Sequence, residues 1–454
     1  MSNPVRSTFG RRAAAFCATI LAFAIGIGGA RSQQFPAETF TLGNGLQVVA
    51  LPNHRVSAVT QMVWYKVGAA DDPRGRSGLA HFLEHLMFKG TRAHPPGAFG
   101  ALIAQNGGRD NAFTGEDYTA FHETVAREQL DLVMRLEADR MTGLVLDEPA
   151  VLSEREVVLE ERRMRIDNDP SALLREQLYA NLFLNDSSRV PTIGWEPEIR
   201  KLGTAEALAF YRDWYMPNNA VLIVAGDADP AEVRRLAEKN FGTVPAGTPP
   251  KRLRLEEPEH RAPIRVEMKH PRVPQPSWRR YYVAPSYTTG ATQHAYALQV
   301  LSEILGGGVG SRLYQALVLK DGIALSVNAD YSPTALGMTT FALSATPKPG
   351  NSVADLEKAI DRELHRVVEQ GVDPDEVRRA ALRMQAAAIY ARDSLSGPAN
   401  IVGAALVTGR TLADVDTWSD RIGAVTPADI QAAARAVLVE RNSATGILLP
   451  ERTS

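Results

Sequence analysis

Cysteine is almost absent from this sequence. The 454 residues contain one cysteine, Cys17, which lies inside an amino-terminal segment with the features of an export signal. A mature chain without that segment has no thiol, which excludes disulfides, cysteine nucleophiles and zinc sites built from cysteine. An excess of charge is also missing, because the formal net charge is −2, and this argues against a nucleic-acid-binding protein.

Residues 1–32 have the organisation of a cleavable signal peptide. Arginines precede an apolar run at 13–27, and small residues place cleavage after Ala30 or Ser32. The apolar run is shorter than the roughly 20 residues that span a bilayer, which disfavours an uncleaved membrane anchor. A pair of adjacent arginines fits twin-arginine export as well as the general secretory route. The sequence therefore predicts an exported protein, most simply one of a bacterial periplasm.

Histidine is scarce as well, yet two of the nine histidines lie four residues apart in His81-Phe82-Leu83-Glu84-His85. The surrounding pattern predicts a helix with Ser77 as its N-cap and Gly90 as its end. At about 100° per residue, apolar side chains gather on one face, while both histidines and the glutamate gather on the other. The sequence thus places three polar side chains together on one helical face.

This polar face is suited to a metal ion. Imidazoles at i and i+4 lie one above the other and can converge on one Zn²⁺ per chain. Glu84 lies between them and could take a proton from metal-bound water. The order His-x-x-Glu-His is the inverted zincin motif. The alternative is a surface helix with two unrelated histidines; we favour His81 and His85 as ligands and Glu84 as the general base.

A third protein ligand is still needed, because catalytic zinc sites have three. On a later predicted helix, Glu154 and Glu161 are seven residues apart and share a face with Val157 and Val158, whereas Glu160 points away. Carboxylates on an apolar stripe need a partner, because burying an unpaired charge is unfavourable. Glu161 is the expected ligand, with Glu154 supporting the ligands or handling protons. Glu160 is the rival ligand, and ordinary capping or ion-pairing acids are the alternative.

A polar, proline-rich segment at 246–262 reads as a linker between residues 33–245 and residues 263–454. The second part repeats the first loosely and lacks the metal ligands. Strands are predicted at 56–67, 111–114, 118–125, 220–227 and 279–283. Helices are predicted at 99–105, 128–140, 153–165, 230–241, 293–305, 353–370 and 374–394.

Over nearly the whole mature length the chain resembles the pitrilysin family of zinc metallopeptidases. The likeness rests on the segment from Gly78 to Thr91, on Asn111-Ala112-Phe113-Thr114 and on the acidic helix from Glu154 to Glu161. It implies an α+β fold of two homologous halves that face each other like a clamshell. It also implies zinc, with Glu161 rather than Glu160 as a ligand, because in this family the ligand follows another functional glutamate by seven residues.

The resemblance implies a zinc endopeptidase that hydrolyses peptides or unfolded protein segments. Substrate would add as a further strand along the edge formed by Asn111, Ala112, Phe113 and Thr114. The alternative is a non-catalytic assembly or binding subunit of the same fold. Such relatives tend to lose the zinc residues, which this sequence keeps.

One departure from the family pattern concerns the second half of the chain. Active relatives, or their partner subunits, carry an arginine and a tyrosine there that help to hold substrate. Val318 and Leu325 stand at the matching positions, seven residues apart. We therefore expect a homologous partner chain without the zinc motif to bring these contacts. Local replacement by Arg312 or Tyr331 is the alternative.

Overall fold

Two mixed β-sheets, each covered by helices, organise residues 37–451, the part of the chain that the computed structural model describes. The expected export signal at 1–32 lies outside these residues. Within residues 37–451, no helix combines the length and the apolar character needed to cross a bilayer. Residues 37–245 are called the first half below, and residues 263–451 the second half.

The first sheet has six strands in the order β1-β2-β6-β3-β5-β4, so that β4 forms one edge. The strands are β1 (Glu38–Thr41), β2 (Gln47–Pro52), β3 (Ala58–Tyr65), β4 (Arg109–Thr114), β5 (Thr119–Ala126) and β6 (Ala220–Gly226). Only β2 and β6 pair in parallel. Every residue of β6 is buried, because helices cover both faces of the sheet at its centre, and this explains its continuous apolar sequence.

The first half carries the helices α1 (Leu79–Leu86), α2 (Ala98–Gln105), α3 (Leu130–Gly143), α4 (Glu148–Arg162), α5 (Pro170–Leu182), α6 (Glu196–Ile199), α7 (Thr204–Trp214) and α8 (Pro230–Phe241). All of these except α5 pack their apolar sides against one face of this sheet and form the main core. A π-helical turn, Arg163–Asp167, follows α4 directly.

The second sheet has five strands in the order β7-β11-β8-β10-β9. The strands are β7 (Ile264–His270), β8 (Ser277–Ala284), β9 (Ala324–Tyr331), β10 (Thr339–Pro347) and β11 (Ser443–Pro450). Its helices are α9 (Ala295–Gly306), α10 (Val353–Gln370), α11 (Pro374–Asp393), α12 (Gly397–Val407), α13 (Leu412–Asp416), α14 (Trp418–Gly423) and α15 (Pro427–Val437). The fold is therefore two α+β halves of related design.

Each half provides a helix that packs on the sheet of the other. Helix α12 covers the outer face of the first sheet, where Val402 packs in one cluster with Trp64 and Ile223. Helix α5 covers the second sheet, where Leu174 and Leu178 pack with residues of β11. The exchange buries apolar surface between the halves, so neither sheet is fully covered by its own half.

The expected linker at 246–262 contains no regular element but is held by ion pairs. Arg254 contacts the carboxylates of Asp71 at 2.8 Å and of Asp117 at 2.6 Å. Asp117 also accepts the backbone N–H of Leu336, in the second half, at 2.8 Å. All four charged side chains of this cluster, with Arg252 included, are largely buried. The segment is thus fixed against both halves.

Several predicted elements match the structure closely. The helices predicted at 230–241 and 353–370 coincide with α8 and α10. The predicted strand at 111–114 is the end of β4. The helix that carries the histidines is shorter than expected, since it runs only from Leu79 to Leu86 and ends before Gly90 is reached. Ser77 is not its N-cap. Instead, the hydroxyl of Ser77 accepts the backbone N–H of Trp195 at 2.9 Å.

Candidate metal centre

The start of α1 is fixed by a carboxylate from a preceding loop. Asp72 accepts the backbone N–H groups of Gly78, Leu79 and Ala80 at 2.7, 3.2 and 2.8 Å, which satisfies donors that a helix leaves free at its first turn. Gly78 itself has a φ of 84°, and a Cβ there would lie 2.4 Å from the carbonyl oxygen of Ile193. Only glycine fits this position, so the residue at which the histidine helix starts is fixed by the loop that precedes it.

Helix α1 is buried on nearly all sides. Its apolar face joins the main core, as the sequence predicts. The polar face is covered as well, since His81 is 7 % and Glu84 9 % exposed, and His85 is half-buried. The surface-helix alternative is therefore wrong. The polar side chains face α4 and β4 across a narrow gap.

Helix α4 brings the third predicted ligand to the two histidines. The Oε2 atom of Glu161 lies 3.5 Å from Nε2 of His81 and 3.2 Å from Nε2 of His85. One donor atom from each of the three residues lies within 4.8 Å of the others, a spacing that can hold one metal ion. Two imidazole nitrogens and one carboxylate oxygen form a donor set that suits Zn²⁺.

The carboxylates of this cluster favour a positive charge at its centre, either a proton on His85 or a metal ion that displaces that proton. Glu161 Oε2 is buried and accepts no well-formed hydrogen bond within residues 37–451. Burial, with His85 beside it, lowers the pKa of His81 to about 4, so that its ring is neutral. Burial opposes the charge of His85, but Glu154 and Glu161 outweigh it and raise its pKa to about 9. A buried carboxylate oxygen that faces two imidazole nitrogens is satisfied when a metal ion lies between them.

Glu84 lies beside these donors and contacts the edge strand. Its Oε2 accepts the hydroxyl of Thr114 at 2.6 Å. Burial raises the pKa of Glu84, and the bond from Thr114 opposes that shift by favouring the ionised form. A largely desolvated carboxylate, whose second oxygen accepts no hydrogen bond from residues 37–451, has the properties of a general base.

Glu154 lies behind His85. Its Oε1 accepts from Nδ1 of His85 at 2.9 Å, and its Oε2 forms an ion pair with Lys89. Burial opposes its ionisation, but His85 and Lys89 lower the pKa of Glu154 overall. Because Nδ1 is held by Glu154, Nε2 of His85 points toward Glu161, and this is how buried carboxylates orient histidine ligands.

Two expectations about α4 are resolved by side-chain exposure. Val157 is 48 % exposed, so its placement on the buried stripe is wrong. Of these two valines, only Val158 is buried. Glu160, the rival ligand, is exposed and pairs with Arg163 at 2.6 Å. It therefore points away from the histidines.

The predicted substrate residues Asn111, Ala112, Phe113 and Thr114 all belong to the edge strand β4. Thr114 and Ala112 face the side of the sheet that carries α1, whereas Phe113 packs against Trp64, with ring centroids 5.3 Å apart, on the other side. The outer edge of β4 has no neighbouring strand among the described residues. A backbone edge thus runs past Glu84.

Comparison with known proteins agrees with this geometry. Residues 47–194 match the insulinase domain of peptidase family M16, and residues 201–384 match the domain described as the M16 inactive domain. An uncharacterized zinc protease of Streptomyces coelicolor is 30 % identical over 407 residues, covering 89 % of this chain and 87 % of its own. The chain belongs to peptidase family M16.

Two further similarities extend the comparison. The zinc protease PqqE of Helicobacter pylori is 30 % identical over 381 residues, which cover 82 % of this chain and 83 % of that protein. A crystal structure of a protease from Helicobacter pylori superposes with a TM-score of 0.84 at 27 % identity, over 92 % of this chain and all of the other. The resemblance inferred from the sequence motifs and the two-part α+β fold are both confirmed.

The second half of this M16 chain contributes no arginine or tyrosine at the positions expected from the family. Val318 packs partly buried against the second core, and Leu325 is 46 % exposed. Arg312 is paired with Glu376 at 2.5 Å, and buried Tyr331 donates its hydroxyl to the carbonyl of Pro285 at 2.5 Å. Both candidate replacements are thus already engaged within the second half.

Sequence reasoning missed several residues that shape this M16 site. Asp72 caps α1 from seven residues before the helix, and Lys89 supports Glu154 from just after it. Neither residue can be identified from the local sequence, because aspartates in loops and lysines near helix ends are common. Thr114 was identified only as a substrate contact, and its bond to Glu84 could not be read from the chain.

Proposed function

We propose that this protein is a zinc-dependent endopeptidase that hydrolyses peptides or unfolded protein segments. The observation that carries the proposal is the convergence of donor atoms from His81, His85 and Glu161 beside the carboxylate of Glu84. The names of its relatives as zinc proteases support the same chemistry. In this proposal His81, His85 and Glu161 hold one zinc ion.

The mechanism assigns each side chain one task. A bound zinc ion would supply Lewis acidity, which acidifies water and polarises a carbonyl group. Glu84 accepts a proton from the attacking water and returns it to the leaving amine. Thr114, which donates to Glu84 at 2.6 Å, holds the carboxylate in one orientation. Glu154 keeps the ring of His85 in the tautomer that presents Nε2.

Substrate is proposed to pair with β4 in extended form. The edge from Asn111 to Thr114 offers backbone groups that can bond an added strand, and side chains on alternating positions would face opposite sides of the sheet. Peptides N-methylated at single backbone positions test this directly. Methylation should lower kcat/KM at every second position near the scissile bond; an equal effect at all positions, or none, contradicts strand pairing.

The catalytic proposal is tested with Glu84→Gln, which removes the proton acceptor and keeps the shape. This variant should bind one zinc ion per chain and lose peptide hydrolysis. Glu160→Gln, the same substitution on an exposed side chain of α4, is the matched control and should keep both. Full activity of Glu84→Gln would contradict the mechanism. Absence of both zinc and activity in the wild-type chain would favour the alternative, a non-catalytic subunit.

We further propose that the active form contains a homologous partner subunit without the zinc motif. Val318 and Leu325 cannot donate hydrogen bonds to a peptide carbonyl, and Arg312 and Tyr331 are engaged elsewhere. The isolated chain should therefore hydrolyse peptides slowly, and the partner should raise kcat/KM at least tenfold, or about 1.4 kcal/mol of transition-state stabilisation. High activity of the chain alone, unchanged by a candidate partner, would contradict this.

Export to a periplasm is proposed from residues 1–32 alone. Fractionation of the source cells, with amino-terminal sequencing of the protein recovered outside the cytoplasm, tests it. Cleavage after residue 30 or 32 is the expected result. An intact amino terminus in the cytoplasmic fraction would contradict it.

A further inference from the structure

A cavity of about 400 Å³ opens directly beside the candidate metal centre. His81 and Thr114 line the cavity next to the metal donors, and Arg165, Arg175 and Arg189 line it as well. We call this cavity the arginine pocket. Because Thr114 ends strand β4, a peptide paired along that strand passes the mouth of the pocket, and a residue next to the scissile bond can place its side chain inside.

The guanidinium groups of the arginine pocket have N–H donors that make no hydrogen bond within residues 37–451. Arg165 contacts Glu161 Oε1 at 2.8 Å, yet its side chain is 70 % exposed. Arg189 donates one hydrogen bond, to the carbonyl of Leu184 at 2.9 Å. Arg175 is exposed and makes no hydrogen bond or ion pair with any residue in 37–451. Each guanidinium carries five N–H donors, so most of them remain available to a ligand.

Acidic residues in the arginine pocket do not neutralise these charges. Glu176 is held by Arg162, with bonds of 2.8 and 3.0 Å, so that pair is internally balanced. Glu116 accepts the hydroxyl of Ser188 at 3.0 Å, and burial raises its pKa to about 7. The pocket therefore has an excess of positive charge, which a concave site concentrates.

Arg175 is also held in place by the fold. It lies on α5, whose buried residues Leu174 and Leu178 pack against the second sheet. The position of its backbone is therefore fixed by the core, while the side chain extends into the cavity. A guanidinium placed on a rigid helix matches a carboxylate with two parallel hydrogen bonds better than a mobile lysine would.

We propose that the arginine pocket selects peptides that carry an aspartate or glutamate side chain beside the scissile bond, with Arg175 as the residue that recognises the carboxylate. The inference rests on the proposed peptidase function, because it assigns the pocket to that substrate. It concerns specificity, and it leaves the roles of His81, Glu84, His85 and Glu161 unchanged.

The first experiment measures binding without turnover. The full mature chain carrying Glu84→Gln is loaded with zinc and titrated with fluorescent, C-terminally amidated peptides that differ only by Glu or Gln at one position. Each position on both sides of the scissile bond is tested in turn. At one position the Glu peptide should bind at least tenfold more tightly than its Gln partner, since the two side chains have nearly the same shape and only the carboxylate can pair with a guanidinium.

Variants of Arg175 then test whether this residue causes the preference for Glu peptides. Arg175→Gln should bring the Glu-to-Gln affinity ratio at that position to about one, and Arg175→Glu should instead favour a Lys peptide. Arg378→Gln is the matched control, since Arg378 is an exposed helix arginine, 68 % accessible, that lies outside the pocket. It should keep the wild-type ratio.

The outcomes separate this inference from the proposed function. Equal affinity for Glu and Gln peptides at every position, or a preference that survives Arg175→Gln, overturns the arginine pocket as the acid-selecting site, even if wild-type enzyme cleaves both peptides. A charge preference that depends on Arg175, in a protein that cleaves no peptide with wild-type Glu84, supports the pocket and contradicts the peptidase.

Discussion

Glu154 accepts a hydrogen bond from Nδ1 of His85 at 2.9 Å, while Nε2 of the same ring lies 3.2 Å from Glu161. One imidazole therefore connects two carboxylates that are seven residues apart on α4. The sequence predicts that Glu154 either supports the ligands or handles protons. Because its carboxylate contacts the ring of His85, we propose the first role, in which Glu154 positions that ring.

Zinc affinity should depend on Glu154. Glu154→Gln removes the charge that holds the Nδ1 proton of His85 and leaves Lys89 without its ion pair, so zinc should bind about 10–100-fold more weakly. Competition against a chromophoric chelator measures this. Glu160→Gln, on the exposed side of the same helix, should leave the affinity unchanged. Equal affinity in both variants would show that Glu154 does not support the site.

The start of α1 should tolerate no side chain at Gly78. Gly78→Ala combines a left-handed φ of 84° with a Cβ only 2.4 Å from a carbonyl oxygen. Gly75→Ala is the matched control, with a φ of 77° and nothing within 4 Å. The left-handed conformation alone costs about 1–2 kcal/mol, so Gly78→Ala should lower the free energy of unfolding by more than Gly75→Ala does. Urea titration measures both; equal losses would contradict the tight packing.

Stability should fall as pH rises through the titration of Glu116. Burial raises its folded-state pKa from the ordinary 4.5 to about 7, so between these values the folded chain binds more protons than the unfolded chain. The stability that depends on the protonated carboxyl is complete below pH 4.5 and lost above about pH 7. Glu116→Gln keeps an acceptor for Ser188 without ionising.

The free energy of unfolding of Glu116→Gln, relative to wild type, should therefore rise by about 1–3 kcal/mol between pH 4.5 and pH 8. Urea titrations of the zinc-loaded proteins at both values measure the change. Glu156→Gln, at a side chain that is 60 % exposed, should show no such change. A difference that is constant with pH would mean that Glu116 titrates normally.

Much of the site could be predicted because its central residues are local in sequence. His81, Glu84 and His85 are related by helical spacing alone, and α1 keeps them on one face. Glu161 needed the family resemblance, because spacing could not separate it from Glu160 with certainty. The error at Val157 has a simple cause. Val157 and Val158 flank the stripe on opposite sides, and only the side that carries Val158 packs into the main core.

Long-range contacts could not be predicted from the sequence. Helices α5 and α12 each pack on the sheet of the other half, but an apolar stripe on a helix does not indicate which sheet it will cover. The arginine pocket could not be predicted for the same reason. Arg165, Arg175 and Arg189 come from a π-helical turn, an α-helix and a 3₁₀-helical turn, and only the fold brings them beside His81.

The central claim is that His81, His85 and Glu161 hold a single zinc ion beside Glu84. Anomalous diffraction from crystals of the zinc-loaded protein, recorded on both sides of the zinc absorption edge, tests it most directly. The account predicts one strong peak within about 2.0–2.2 Å of Nε2 of His81, Nε2 of His85 and an oxygen of Glu161. A peak held by other residues, or none at these donors with zinc in excess, would contradict it.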